Sequence, residues 1–125
     1  MRYKVGEIFT NIEVCELVMS IHYNEQDFDE GDLLERINRF TLYEIREVNV
    51  DELCTGYYYI DKDNVIKMSN LDFETMPPIV LGEKYGDKYD VVDGNHRVES
   101  AILKNRKKIL AFFPIEWFLK IYLQI

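Results

Sequence analysis

Five consecutive residues, Asp93-Gly94-Asn95-His96-Arg97, place a glycine among four side chains that bind ions or transfer protons. They follow residues 89–92, a run typical of a strand, and precede a segment in which Val98, Ala101 and Ile102 recur at helical spacing. The pattern predicts a strand–turn–helix corner, where glycine permits a sharp turn and the close approach of a ligand. The free amides and the positive dipole end of the helix would form an anion site.

A phosphate group is the predicted ligand, bound by the backbone amides of Gly94, Asn95 and His96 and by the Arg97 guanidinium. His96 and Arg97 fall in the first helical turn, where the dipole disfavours cations unless an anion completes the site. Arg97 can bind two phosphate oxygens at once. Since a charged hydrogen bond contributes about 1.5–3 kcal/mol, we expect Arg97→Ala to weaken a phosphate ligand about ten- to a hundredfold.

The candidates for catalysis are His96, Asp93 and Glu99. His96 can donate to a phosphate oxygen or transfer a proton. Asp93, four residues before Arg97, can hold that side chain, orient His96 or bind a magnesium ion that accompanies the phosphates. Glu99 shares a helix face with His96. The same residues also allow a simpler interpretation, a helix start with a solvated histidine and arginine.

The elements that would position these residues follow from hydrophobic spacing and from capping and turn residues. Helices are predicted from the capping box Thr10-x-x-Glu13 to about Tyr23, from Asp32-x-x-Glu35 to about Phe40, and from Asn95 to Asn105. His22 is assigned to the apolar face of the first helix rather than to a ligand site. Strands are predicted at residues 42–50, 79–81, 89–92 and 109–113, with a hairpin of residues 57–60 and 65–68, a loop at residues 82–88, and a final helix or strand after Pro114.

This order of elements predicts a mixed α/β (α+β) fold, a small mixed sheet flanked by helices. At 125 residues the chain is expected to form a single domain, with a helical N-terminal part at residues 1–41 and the core at residues 42–125. The two cysteines lack metal-ligand spacing, and we find neither a signal peptide nor a membrane-spanning run. These features favour a cytoplasmic protein without a membrane partner.

Charge is distributed unevenly along the chain. Residues 1–83 carry 18 acidic and seven basic side chains, whereas residues 84–108 carry seven basic and four acidic ones. A net charge of −8 argues against duplex DNA as a partner, because DNA binding needs a positive surface. A local basic patch suits one small anion, and the acidic N-terminal region could face a basic protein partner.

The sequence from Pro77 to Ala101 resembles the core of the ParB/sulfiredoxin superfamily. Members read P-I-x-V, a loop, Y-x-V-V-D-G-x-x-R and a helix, and here residues 89–101 read Y-D-V-V-D-G-N-H-R-V-E-S-A. The resemblance implies a shared turn that holds nucleotide phosphates, with ATP, ADP or CTP and Mg²⁺ as cofactors. The superfamily includes sulfinic-acid reductases, free-serine kinases, CTP-binding partition proteins and proteins described as nucleases.

Departures from the motif narrow this choice. Sulfiredoxins have a reactive cysteine where this chain has Asn95, and Cys15 and Cys54 lie outside the motif, so sulfinic reduction is not expected. Partition proteins read G-E-R-R at the turn and continue into a DNA-binding region that this sequence lacks, so a partition role is not expected. Free-serine kinases read D-G-H-H-R, which matches four of five positions here.

The first hypothesis is therefore a nucleotide-phosphate-binding domain, either an ATP-dependent hydrolase or a kinase-like phosphotransferase. The alternative is a non-enzymatic acidic interaction protein on the same fold, such as an immunity protein, an antitoxin or a phage inhibitor. A nuclease ranks third, since only the family resemblance supports it.

Overall fold

The described residues of the chain form one six-stranded sheet with helices on both faces. In a computed structural model, the described residues are 3–22, 30–54, 61–71 and 75–115. Their elements, in chain order, are β1 (Ile8–Thr10), α1 (Asn11–Ile21), α2 (Glu30–Ile37), β2 (Leu42–Asn49), a 3₁₀ turn (Val50–Glu52), β3 (Leu53–Cys54), α3 (Lys62–Ser69), β4 (Ile79–Tyr85), β5 (Lys88–Asp93), α4 (Asn95–Leu103) and β6 (Lys108–Pro114).

The sheet is mixed, in the order β1-β2-β6-β4-β5-β3. Strand pairs β1–β2, β2–β6 and β4–β5 are antiparallel, whereas β3–β5 and β4–β6 are parallel. The predicted mixed α/β fold is confirmed. Among the described residues, no helix is both long and apolar enough to cross a membrane.

Each face of the sheet has its own core, because successive side chains of a strand point to opposite faces. Val80 of β4 and Phe112 of β6 belong to a cluster that includes Val14 and Val18 of α1 and residues of α2. The neighbouring residues Ile79, Leu81 and Ala111 join Val98 and Ala101 of α4 in a second cluster. Val92 of β5 belongs to the first cluster and Val91 to the second, so the end of β5 lies between the two groups of helices.

Several local predictions are confirmed. The Thr10–Glu13 capping box is present at the start of α1. Strand β2 (Leu42–Asn49) matches the predicted segment at residues 42–50 except for Val50, which begins the 3₁₀ turn, and β6 covers residues 109–113. Asn105 ends the α4 region with a φ of 56°, the left-handed conformation expected there. The predicted strand Tyr57–Ile60 and the segment after Pro114 lie outside the described residues, except for Ile115.

The predicted hairpin at residues 65–68 is wrong, because these residues belong to α3. The Asp61-Lys62-Asp63-Asn64 segment starts this helix instead of forming a turn. The carboxylate of Asp61 accepts hydrogen bonds from the backbone N–H groups of Asp63 (3.0 Å) and Asn64 (3.4 Å). An N-cap and a turn use the same residue types, so the local sequence allowed both.

Two element boundaries also differ from prediction. The predicted loop at residues 82–88 is mostly strand, since β4 continues to Tyr85 and only Gly86 and Asp87 form the turn. Gly82 is a packing position, where a Cβ atom would lie 2.8 Å from Val92 Cγ2. Helix α2 begins at Glu30, so Asp32 lies within it rather than at its start.

Candidate functional site

The predicted corner is present where β5 ends at Asp93 and α4 begins at Asn95. Gly94, the N-cap residue, adopts a left-handed conformation with φ 104° and ψ 23°, and it supplies no side-chain cap to the helix. Its carbonyl accepts the first helical hydrogen bond, from the Val98 N–H, at 3.0 Å. The strand–turn–helix geometry predicted from the sequence is confirmed.

Glycine is required at position 94 for two reasons. A φ of 104° is costly for a residue with a Cβ atom. A Cβ atom there would also lie 2.5 Å from Ile79 Cγ2 and 2.9 Å from Arg97 Nη2. On that side of the corner, the groups that closely approach the glycine belong to the protein itself.

Arg97 is buried, with its side chain 7% exposed, and its guanidinium contacts the protein. Nη1 donates to the backbone oxygens of Pro77 (2.6 Å) and Pro78 (3.2 Å), while Nη2 donates to Asp93 Oδ2 at 2.9 Å. Burial lowers the pKa of Arg97, and the neighbouring Asp93 carboxylate opposes this effect. The contact between Asp93 and Arg97 that the four-residue spacing predicts is confirmed.

Asp93 links two parts of the chain that are distant in sequence. Its Oδ1 lies 2.7 Å from Nε2 of His22, which caps the C-terminal end of α1. Burial alone would raise the pKa of Asp93, but the hydrogen bond with His22 and the charge of Arg97 outweigh burial, so that the pKa lies below its ordinary value. Asp93 is therefore an ionised carboxylate at neutral pH, with one oxygen bonded to each partner.

The contact of His22 with Asp93 was not predicted from the sequence. The residue continues the helical pattern of α1, and its partner lies 71 positions away. A histidine at the end of an otherwise apolar helix face was the available signal, because a partly buried imidazole needs a hydrogen-bond partner.

His96 joins α4 to α3. Its Nε2 accepts the backbone N–H of Asp61 at 3.0 Å, so a neutral ring carries its proton on Nδ1. The buried Ser100 hydroxyl lies 2.9 Å from the Val65 oxygen and 2.8 Å from the His96 oxygen, and thus adds a second link to α3. Ser100 was not singled out in the sequence.

Asn95 is the first residue of α4, and its two polar side-chain atoms differ in their hydrogen bonding. Its Nδ2 lies 3.4 Å from the Val91 oxygen, whereas its Oδ1 is buried and has no hydrogen-bond partner among the described residues. Glu99 is half-buried on the next turn of the same helix. Asp93, His96 and Arg97 therefore have protein partners in this structure, while one polar atom of Asn95 does not.

A small cavity lies beside the buried guanidinium. It is lined by Met76, Pro77, Arg97, Ile109 and Leu110, and its volume is about 10 Å³, space for about one water molecule. A nucleotide cannot fit in this cavity. Within the described ranges, no three His, Cys, Asp or Glu side chains are grouped to hold a metal ion.

Comparison with known proteins finds a partial likeness among solved structures. No protein-family model matches the sequence, and no curated protein matches it. The chain is similar to the C-terminally truncated chromosome-partitioning protein ParB from Caulobacter crescentus, solved in complex with CTP-gamma-S. The two share 18% sequence identity with a TM-score of 0.46, over 55% of this chain and 43% of that chain.

Proposed function

We propose that this protein binds the phosphate groups of a nucleotide at the corner between β5 and α4. The observation that carries the proposal is the uncapped start of α4. Gly94 offers no side chain to the first-turn amides, and a helix begins with amide groups that lack a partner within the helix. Phosphate oxygens are suitable acceptors for such amides. The motif resemblance of residues 77–101 supports the same ligand class.

Each predicted binding residue has a role in this proposal. The amides of Gly94, Asn95 and His96 would donate to phosphate oxygens, and the Nδ1–H of His96 would donate from the side. Arg97 would act mainly as a buried positive charge below the corner, because its Nη atoms already contact Pro77, Pro78 and Asp93. For a direct clamp, as predicted from the sequence, Arg97 would have to give up some of these contacts.

Metal binding and catalysis are further parts of the proposal. Magnesium would arrive bound to the phosphates of ATP, ADP or CTP. Both Asp93 oxygens contact His22 and Arg97, so Asp93 would have to give up one of these contacts to act as a base or to contact the metal. If the protein is a hydrolase or a kinase-like enzyme, His96 Nδ1 and Glu99 are its proposed proton-transfer groups.

Isothermal titration with ATP, ADP, CTP and inorganic triphosphate, each with Mg²⁺, tests the proposal. The decisive variants are His96→Glu and His96→Gln. Both keep an acceptor for the Asp61 amide, and a carboxylate is favourable at a helix start, so both are expected to fold. Only His96→Glu places a negative charge beside the phosphates.

We expect His96→Glu to bind the ligand at least tenfold more weakly than His96→Gln, because both variants lose the imidazole and only the glutamate carboxylate repels the phosphates at short range. Equal affinity of the two variants would place the ligand elsewhere. A wild-type protein that binds none of the four compounds would overturn the proposal.

A further inference from the structure

The hydrogen bond between His22 and Asp93 ties two distant parts of the fold together. The histidine ends α1 on one face of the sheet, whereas Asp93 is the last residue of β5 and directly precedes Gly94. Their side chains are only 17% and 8% exposed, and the Nε2–Oδ1 distance is 2.7 Å. Such a contact is well shielded from water, so it constrains both side chains more than a surface pair would.

Contacts continue from Asp93 towards the segment before β4. Asp93 Oδ2 accepts from Arg97 Nη2, and Arg97 Nη1 donates to the Pro77 and Pro78 oxygens. Arg97 Nη2 is also the polar atom nearest to a Cβ position at Gly94, at 2.9 Å. The position of the Asp93 carboxylate therefore affects the guanidinium that lies against the glycine.

We propose that His22 is a positioning residue for the phosphate-binding corner. His22 holds Asp93 Oδ1, which directs Oδ2 to Arg97 and keeps the guanidinium against Gly94, below the first turn of α4. This inference rests on the proposed function and assigns to α1 a part in ligand binding. His22 acts through Asp93 and does not touch the ligand.

Two substitutions separate positioning from simple stabilisation. His22→Leu removes the hydrogen bond, whereas His22→Gln keeps an N–H donor that can reach Asp93 Oδ1. Glu16→Gln, an exposed change on the same helix, is the control. Affinity for ADP with Mg²⁺, or for the tightest ligand of the set above, is measured well below the melting temperature of each variant.

We expect His22→Leu to weaken binding at least tenfold, His22→Gln to restore it to within about threefold of wild type, and Glu16→Gln to have no effect. A purely structural role would lower the melting temperature of His22→Leu and leave its affinity unchanged, which would overturn the inference. Failure of His22→Gln to restore affinity would overturn it too.

A measurement on the wild-type protein covers the case in which His22→Leu does not fold. The ring resonances of His22 are followed by NMR as ligand is added, and we expect them to shift as the corner becomes occupied. If ligand binds and these resonances do not shift, His22 is not a positioning residue, although the proposed phosphate site still stands. Absence of wild-type binding would instead remove the proposed function, and the role of His22 with it.

Discussion

Helices α3 and α4 pack against each other, yet they begin in opposite ways. The start of α3 is capped by a side chain, since the Asp61 carboxylate accepts hydrogen bonds from the Asp63 and Asn64 amides. The start of α4 has no side-chain cap, because its N-cap residue is Gly94. Of these two helix starts, only that of α4 lacks a side-chain cap, and its first amides are the ones that we propose bind an external acceptor. The comparison locates the proposed phosphate site more narrowly than the sequence motif does.

The two helix starts also differ in how deeply the acidic residue next to each of them is buried. Asp61 is half-buried at the surface of the molecule, whereas Asp93, just before Gly94, is almost completely buried and shared by His22 and Arg97. The α4 start therefore rests on a buried ion pair that must stay complete, since a buried charge without its partner is strongly destabilising. The predictions below test these two differences, one at a time.

The largest effect is expected from Arg97→Ala. This change leaves Asp93 buried without its cation and the Pro77 and Pro78 oxygens without their donor, so we expect a loss of about 3–5 kcal/mol in the free energy of unfolding. Urea denaturation measures it. Arg39→Ala, which breaks an exposed pair with Glu83, is the control and should cost about 1 kcal/mol or less.

The sequence alone predicted a ten- to hundredfold loss of ligand affinity for Arg97→Ala. In the structure the Arg97 guanidinium bonds to Pro77, Pro78 and Asp93, so Arg97→Ala is expected to affect folding before it affects binding. Ligand affinity must therefore be measured under conditions in which this variant is shown to be folded. If Arg97→Ala is as stable as the wild type, the guanidinium does not compensate the buried charge of Asp93. The starts of α3 and α4 would then not differ in the effect of the charges next to them.

A smaller effect is expected from Asp61→Ala, which removes the side-chain cap of α3. Loss of an N-cap costs about 0.5–2 kcal/mol, measured by urea denaturation. The backbone N–H of Asp61 remains and can still donate to His96 Nε2. Nucleotide affinity should therefore stay within about twofold of wild type. A much larger loss of affinity would show that the side-chain cap of α3 also contributes to ligand binding. This would contradict the proposal that only the start of α4 binds the ligand.

The sequence predicts best where local signals agree with one another. The Thr10–Glu13 box, the Asp93-Gly94 break and the left-handed Asn105 each act within a few residues, and the structure has all three. Helix α3 could not be assigned in this way. Its start resembles a turn, and packing decides the outcome, because Val65 and Ser69 are buried and Ser100 of α4 bonds to the Val65 oxygen.

In the candidate site, too, a contact between residues close in sequence could be predicted, whereas contacts with distant residues could not. The spacing of Asp93 and Arg97 predicts their contact, since residues four apart share a helix face. His22 and the Pro77 and Pro78 oxygens could not be predicted as partners. Any backbone oxygen can accept a hydrogen bond, and nothing in the local sequence of α1 indicates that its last turn meets the end of β5.

A further effect is expected in how stability depends on pH. The folded-state pKa of Asp93 lies below its ordinary value, so ionised Asp93 contributes stability above the unfolded-state pKa of about 3.9, and that contribution is lost as the pH falls through the lower folded-state pKa. Other carboxylates titrate in the same range, so the useful quantity is the difference between the wild type and Asp93→Asn.

At pH 7 the Asp93→Asn protein should be less stable than the wild type, because Arg97 then remains buried beside a neutral amide. As the pH falls below about 4, the wild type loses the contribution of its ionised carboxylate and the variant has none to lose. The two unfolding free energies, measured by urea denaturation between pH 2 and pH 7, should therefore converge on the acid side. A constant difference across this range would mean that the charge of Asp93 does not stabilise the corner, and that the start of α4 differs from that of α3 only in its missing cap.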